Sequence, residues 1–193
     1  MCRPLAFALI LFFFSACSNN SKNSQTGATI DPASGAFNRA ADSALAAYYN
    51  MAEAFVKWDS MGIVQTAGIL DQHIGNLEQE AGTDSSLSKS GLAGIRKQLE
   101  GIRGNADIFA KRHALNSLST GFFSLLKEGR YSAKKLFLQE CNMPFNDTGN
   151  AVWISAADVV RNPYLGLRHP TYGKGMLECG GNKSVLDFTS KDN

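Results

Sequence analysis

From Phe37 the apolar residues fall at positions 37, 41, 44, 45, 48, 51, 55 and 58, the three-and-four spacing of one buried helical face. Three more stretches keep that period. After a stop near Trp58-Asp59, Ser60 can cap a second helix with Ile63, Ala67, Leu70, Ile74 and Leu77 inward. A third helix reads through Leu92, Ile95, Leu99 and Ile102 and is weakened by Gly101 and Gly104. The fourth, capped by Asn105 or Asp107, turns Ile108, Leu115, Leu118, Phe122 and Leu125 inward and ends near Glu128-Gly129. Gly82 to Ser86 is a loop by composition. Four amphipathic helices with short connections predict a mainly α chain folded as an antiparallel up-down four-helix bundle. One kinked helix over 91–128 would leave three helices instead. Tyr48, Tyr49, Met51, Phe55 and Trp58 are expected in the core, since an aromatic stripe at helical spacing is usually packing. His73 and His113 have no second histidine, cysteine or carboxylate pair one turn away, so both are expected on flanks or surface.

After Gly129 the helical period stops. Ser132 to Gln139 reads as a short strand or a last helical turn leading into Cys141, and Ala151 to Ser155 as a short strand. Between them Asn146 to Asn150 is a turn by composition. Arg161-Asn162-Pro163-Tyr164-Leu165-Gly166 and Arg168-His169-Pro170-Thr171-Tyr172-Gly173 read as one phrase written twice. The segment closes on Met176-Leu177-Glu178-Cys179-Gly180-Gly181, beyond which 182–193 is expected to fray. The C-terminal third is thus predicted to be irregular or short-stranded.

Nineteen basic against seventeen acidic residues, with net charge +2, leave no electrostatic footprint for nucleic acid. A length of 193 residues suits one domain. Leu5 to Phe14 is an apolar run of ten, too short to cross a bilayer but suited to the core of a secretory signal peptide. Phe14-Ser15-Ala16-Cys17 resembles the bacterial lipobox, with phenylalanine where leucine is preferred. That resemblance implies a signal peptide over 1–16, lipidation of Cys17 and a polar tether over 17–36, ahead of the helical domain at 37–181. Ser18 is not the aspartate of inner-membrane retention, so the expected place is the outer membrane, lipid-anchored, with the domain in the periplasm. Of four cysteines, Cys141 and Cys179 then remain in the folded domain, in an oxidising compartment.

A helical segment followed by Cys141-x-Met143, Trp153 with Ser155, and His169 to Gly180 ending Met176-Leu177-x-Cys179-Gly180 resembles the bacterial family catalogued as domain of unknown function 3347. The resemblance covers about 37–181 and is most specific over 141–180. Asn142 and Pro144 depart from the family's Cys-Pro-Met, His169 stands in place of its asparagine, and 161–167 is an extra stretch. Members are periplasmic lipoproteins or domains joined to heavy-metal efflux adaptors. The resemblance therefore implies an envelope setting, with an efflux or other envelope protein as partner, and no established activity.

Two readings of the sulfur residues stand open. Cys141, Met143, Met176 and Cys179, with His169 as an added imidazole, would suit a soft metal such as Cu(I) or Ag(I). Alternatively Cys141 and Cys179 form a disulfide that staples the loop-rich tail, with the methionines packed around it, making a structural or protein-interaction module. Catalysis is not expected. The chain carries no Gly-x-Ser-x-Gly, Gly-rich phosphate loop, His-Glu-x-x-His or dinucleotide fingerprint.

Overall fold

A computed structural model describes residues 35–81, 87–105, 107–145 and 149–189. The expected signal peptide, Cys17, almost all of the tether, the 82–86 loop and positions 146–148 of the turn lie outside the described residues. Four helices, α1 (Gly35–Lys57), α2 (Ser60–Ala81), α3 (Lys89–Gly104) and α4 (Ile108–Glu128), precede three strands, β1 (Leu136–Cys141), β2 (Ala151–Ser155) and β3 (Gly181–Leu186). Every residue of the predicted inward faces is buried except Trp58 and Ile108, which are half-buried. Of the aromatic stripe, Tyr48, Met51 and Phe55 are buried, whereas Tyr49 stays half-buried with Trp58. Helix α1 packs on α2, α2 on α3, α3 on α4, and α4 on β2.

Two helix starts show what the local chemistry decides. Between α3 and α4 the backbone of Asn105 is extended, and the Asp107 carboxylate accepts from the N–H groups of Phe109 and Ala110, both at 3.1 Å. Two separate helices result, not one kinked rod. Asp107→Ala is expected to lower stability by about 1 kcal/mol, measured by denaturant unfolding. The start of α2 differs from expectation, because the capping carboxylate belongs to Asp59, whose Oδ1 accepts from Gly62 N at 2.9 Å. Ser60 is already helical. Trp58 causes the shift: its left-handed φ of 59° turns the chain one residue early.

The strands make an antiparallel sheet in the order β2-β1-β3. A register shift between Leu138 and Gln139 lets Leu136, Gln139 and Cys141 all point inward. Strand β3 corrects the expectation of a frayed tail from 182. Its first five residues are exposed and only Leu186 is buried, so no apolar alternation advertises it. The open edge of β1 defines this strand through backbone pairing.

Tyr48 joins helices to sheet. Its hydroxyl lies 2.7 Å from Ser119 Oγ and accepts from Ile154 N at 3.1 Å. Ser119 donates onward to Leu115 O at 2.7 Å, so the Tyr48 proton points at Ser119. Burial pushes the phenol up to about 12, keeping it neutral. Tyr48→Phe strands the Ile154 N–H in the core, and a loss of about 1–3 kcal/mol in a denaturant melt is expected.

Candidate functional site at the end of the sheet

Strand pairing alone brings the two cysteines together. Cys141 ends β1, and the register that sets Glu140 opposite Gly181 places Cys179 just ahead of β3 on the neighbouring strand. The close approach needs Gly180. Its φ is +132°, and a Cβ there would meet Glu140 O at 2.6 Å and the Trp153 ring at 2.9 Å. The two cysteines are free thiols, close enough for the Cys141 sulfur to act on the Cys179 thiol. Cys141 is buried and Cys179 half-buried.

Burial first, then the neighbouring sulfur, pushes the Cys179 thiol up to about 12. Cys179 is therefore held as a thiol when reduced, and the sign of its pH dependence follows. A group protonated in the folded state but ionised from about pH 9 in the unfolded chain stabilises the fold below pH 9 and loses that contribution towards pH 12. Reduced protein should accordingly lose thermal stability steadily across that interval, while Cys179→Ser protein should lack this component. Melts at several pH values in reductant check it.

Of the other predicted ligands, Met143 is 40% exposed and shares with Cys179 a shallow cleft of about 420 Å³ walled by Glu140, Asn142 and Lys183. Met176 is half-buried and packs against the core. His169 stands elsewhere in its contacts: its ring stacks on Tyr172 with centroids 4.9 Å apart and meets the edge of Trp58 at 6.0 Å. Its Nδ1 accepts from Thr171 N at 3.2 Å and Tyr172 N at 3.4 Å. Among the described residues, no three His, Cys, Asp or Glu side chains gather where they could hold a metal ion. What comes together is a pair of sulfurs with one thioether beside the same cleft.

The repeated phrase proves to be a repeated turn. Asn162 Oδ1 accepts from the N–H groups two and three residues on, Tyr164 at 2.8 Å and Leu165 at 3.1 Å, as His169 Nδ1 does in the second copy. Gly166 and Gly173 close the two copies with φ of +59° and +52°. The first copy is the structural one. Asn162 to Gly166 are all buried, so the stretch that reads as an insertion is part of the core. Asn162 Nδ2 donates to Cys179 O at 2.8 Å, Asn162 N donates to Leu177 O, and Tyr164 donates to Val152 O at 2.6 Å. Leu167 N then caps the end of α1 by donating to Val56 O. A Cβ on Gly166 would lie 2.6 Å from that carbonyl at a left-handed φ. Gly166→Ala is expected to cost at least about 2 kcal/mol, seen as a lower urea midpoint.

Sequence reasoning did not single out Asn162, Gln139 or Arg112. An Asn-Pro step signals a turn but not its burial. Gln139 is fully buried, accepts from Trp153 Nε1 at 2.8 Å, and its Nε2 faces the carbonyls of Ala157, Asp158 and Val159. Arg112 lies 3.9 Å over the Trp58 ring. His113 is exposed, as expected, and stacks on Phe145 at 3.9 Å. His73 is half-buried with a buried Nδ1. No helix is long and apolar enough to cross a membrane among the described residues. No family model, no curated protein and no solved structure matches this chain.

Proposed function

We propose that this chain is a non-catalytic, lipid-anchored envelope module whose tail is stapled to its sheet by a Cys141–Cys179 disulfide. The observation that carries the reading is the strand register that brings Cys141 and Cys179 to the same end of the sheet, with no third His, Cys, Asp or Glu ligand gathered there among the described residues. Two free thiols brought to the same end of one sheet are placed for oxidation to a disulfide in the oxidising compartment that the leader implies. In this reading the helices form an antiparallel up-down bundle. Sequential packing of α1 to α4 and the Tyr48–Ser119 bond between α1 and α4 support it. Cys17 carries the lipid, most simply in the outer membrane, and the module binds an efflux or other envelope protein.

The deciding experiment is the intact mass of protein purified without reductant, with and without a thiol-alkylating reagent under denaturing conditions. The staple predicts a mass two daltons below the reduced value, with neither Cys141 nor Cys179 alkylated. Two alkylated thiols would end this reading.

One observation favours a second reading. Met143 borders the same cleft as Cys179, so Cys141, Cys179 and Met143 offer soft sulfur to Cu(I) or Ag(I). His169 has no part in it, and Met176 contributes packing. The expected result is anaerobic Cu(I) uptake by reduced protein, weakened by Met143→Leu and abolished by Cys141→Ser.

A further inference from the structure

Arg112 is the largest of the fully buried side chains, at 1% exposure. None of its Nε, Nη1 or Nη2 atoms has a hydrogen-bond partner among the described residues. Its guanidinium lies 3.9 Å from the centroid of Trp58 and 5.9 Å from that of Phe109. Aromatic faces attract a cation but accept its N–H groups only weakly, and a buried charge without strong acceptors is costly. Asp107 attracts the guanidinium electrostatically, but both of its carboxylate oxygens accept from the first N–H groups of α4.

The cover over this charge is itself under tension. Trp58 is a bulky residue at φ 59°, a backbone state that persists only where surrounding contacts enforce it. Its indole is held by one polar bond, Nε1 to Leu165 O at 3.2 Å. The same residue lines a surface cleft of about 580 Å³ between the α1–α2 turn and the segment after Gly166. Lys57 and Arg168 line it together with Met61, 72% exposed, and Leu167, 36% exposed. Arg168 makes no ion pair among the described residues, and Lys57 shares Glu53 at 3.4 Å with Arg161. One carboxylate, Asp59, also lines the cleft, but its Oδ1 is engaged in capping α2.

We propose that this corner is an anion-binding site for a carboxylate or phosphate carried on an apolar body, with Arg112 as its deep charge and Trp58 as its movable cover. The anionic group supplies the acceptors that Arg112 lacks, and the apolar body rests on Met61, Leu167 and the displaced indole. Lys57 and Arg168 draw the anion in from solvent. This site lies apart from the cysteine pair and stands whether or not Cys141 and Cys179 are bridged.

The test is thermal unfolding of the full chain in a non-ionic detergent, at constant ionic strength, with four probes: phenylacetate, phenyl phosphate, inorganic phosphate and the uncharged phenylacetamide. At a hundredfold excess over Kd the folding equilibrium shifts about 100-fold, a rise in Tm on the order of 5–10 °C. That rise is expected with at least one anion and not with phenylacetamide. Arg112→Met should abolish it. Trp58 fluorescence should change with the same probes, which keeps a readout on the unaltered protein if Arg112→Met fails to fold. Stabilisation by inorganic phosphate alone identifies a free anion as sufficient, and a requirement for the phenyl group identifies an amphiphile. No stabilisation by any anion, or equal stabilisation by phenylacetamide, overturns the proposal.

Discussion

Reduction of the protein as purified is expected to lower its Tm by on the order of 10 °C, and Cys179→Ser should do the same without reductant. The bridge closes a loop of about 39 residues, which on the chain-entropy model restricts the unfolded state by about 4 kcal/mol. For a domain of this size that converts to roughly ten degrees. The loop holds β2, both turn copies and the Cys/Met segment, so reduction releases the whole C-terminal third from a constraint acting at its two ends. The folded state changes little, because Gly180 and the β1–β3 register already set the two sulfurs side by side. A Cys141→Ala, Cys179→Ala double variant should melt near the reduced value and ignore reductant. If the melt of untreated protein is unmoved by reductant, the staple is absent. Cu(I) or Ag(I) should then stabilise the protein through the same sulfurs.

The helices were readable because one physical signal, a 3.6-residue apolar period, both forms the element and buries its face. Leu70, Ile74 and Leu77 are legible in the chain for the same reason that they are buried in the fold. Caps were readable to within a residue. The Asp59-for-Ser60 difference arises because the left-handed turn at Trp58 is a tertiary event, stabilised by Leu165 a hundred residues away. Strand β3 was invisible for the opposite reason, since its first five residues are exposed and mostly polar and its pairing comes from β1. At the site, chemistry was legible as residue type: Cys141 and Cys179 come to the same end of the sheet as free thiols. His169 does not join them, because its Nδ1 closes a local turn and its ring fills the space against Trp58 and Tyr172. Competition from such a local bond leaves no trace in residue spacing. Arg112, without a hydrogen-bond partner among the described residues, was equally hidden, as a charged residue on an amphipathic helix ordinarily reads as solvated.

Asn162→Ala is expected to be among the most damaging single substitutions in the chain, at about 3–5 kcal/mol in denaturant unfolding. Its side chain meets three separate backbone demands: the N–H groups of Tyr164 and Leu165, and the carbonyl of Cys179. Alanine leaves the two buried N–H groups without an acceptor and opens space where the amide stood. The neighbouring ties then loosen together. Tyr164 OH no longer reaches Val152 O from a fixed turn, and Leu167 no longer caps α1 at Val56. Asn162→Asp separates these contributions, since a carboxylate still accepts from Tyr164 and Leu165 but faces the Cys179 carbonyl without a donor. It should recover part of the loss and leave the cysteine end mobile. In reduced protein the alkylation rate of Cys179 should therefore rise in both variants, whereas a substitution that merely destabilised the helices, such as Asp107→Ala, should leave that rate unchanged. Equal rates in Asn162→Asp and unmodified protein would falsify the idea that Asn162 positions the cysteine pair.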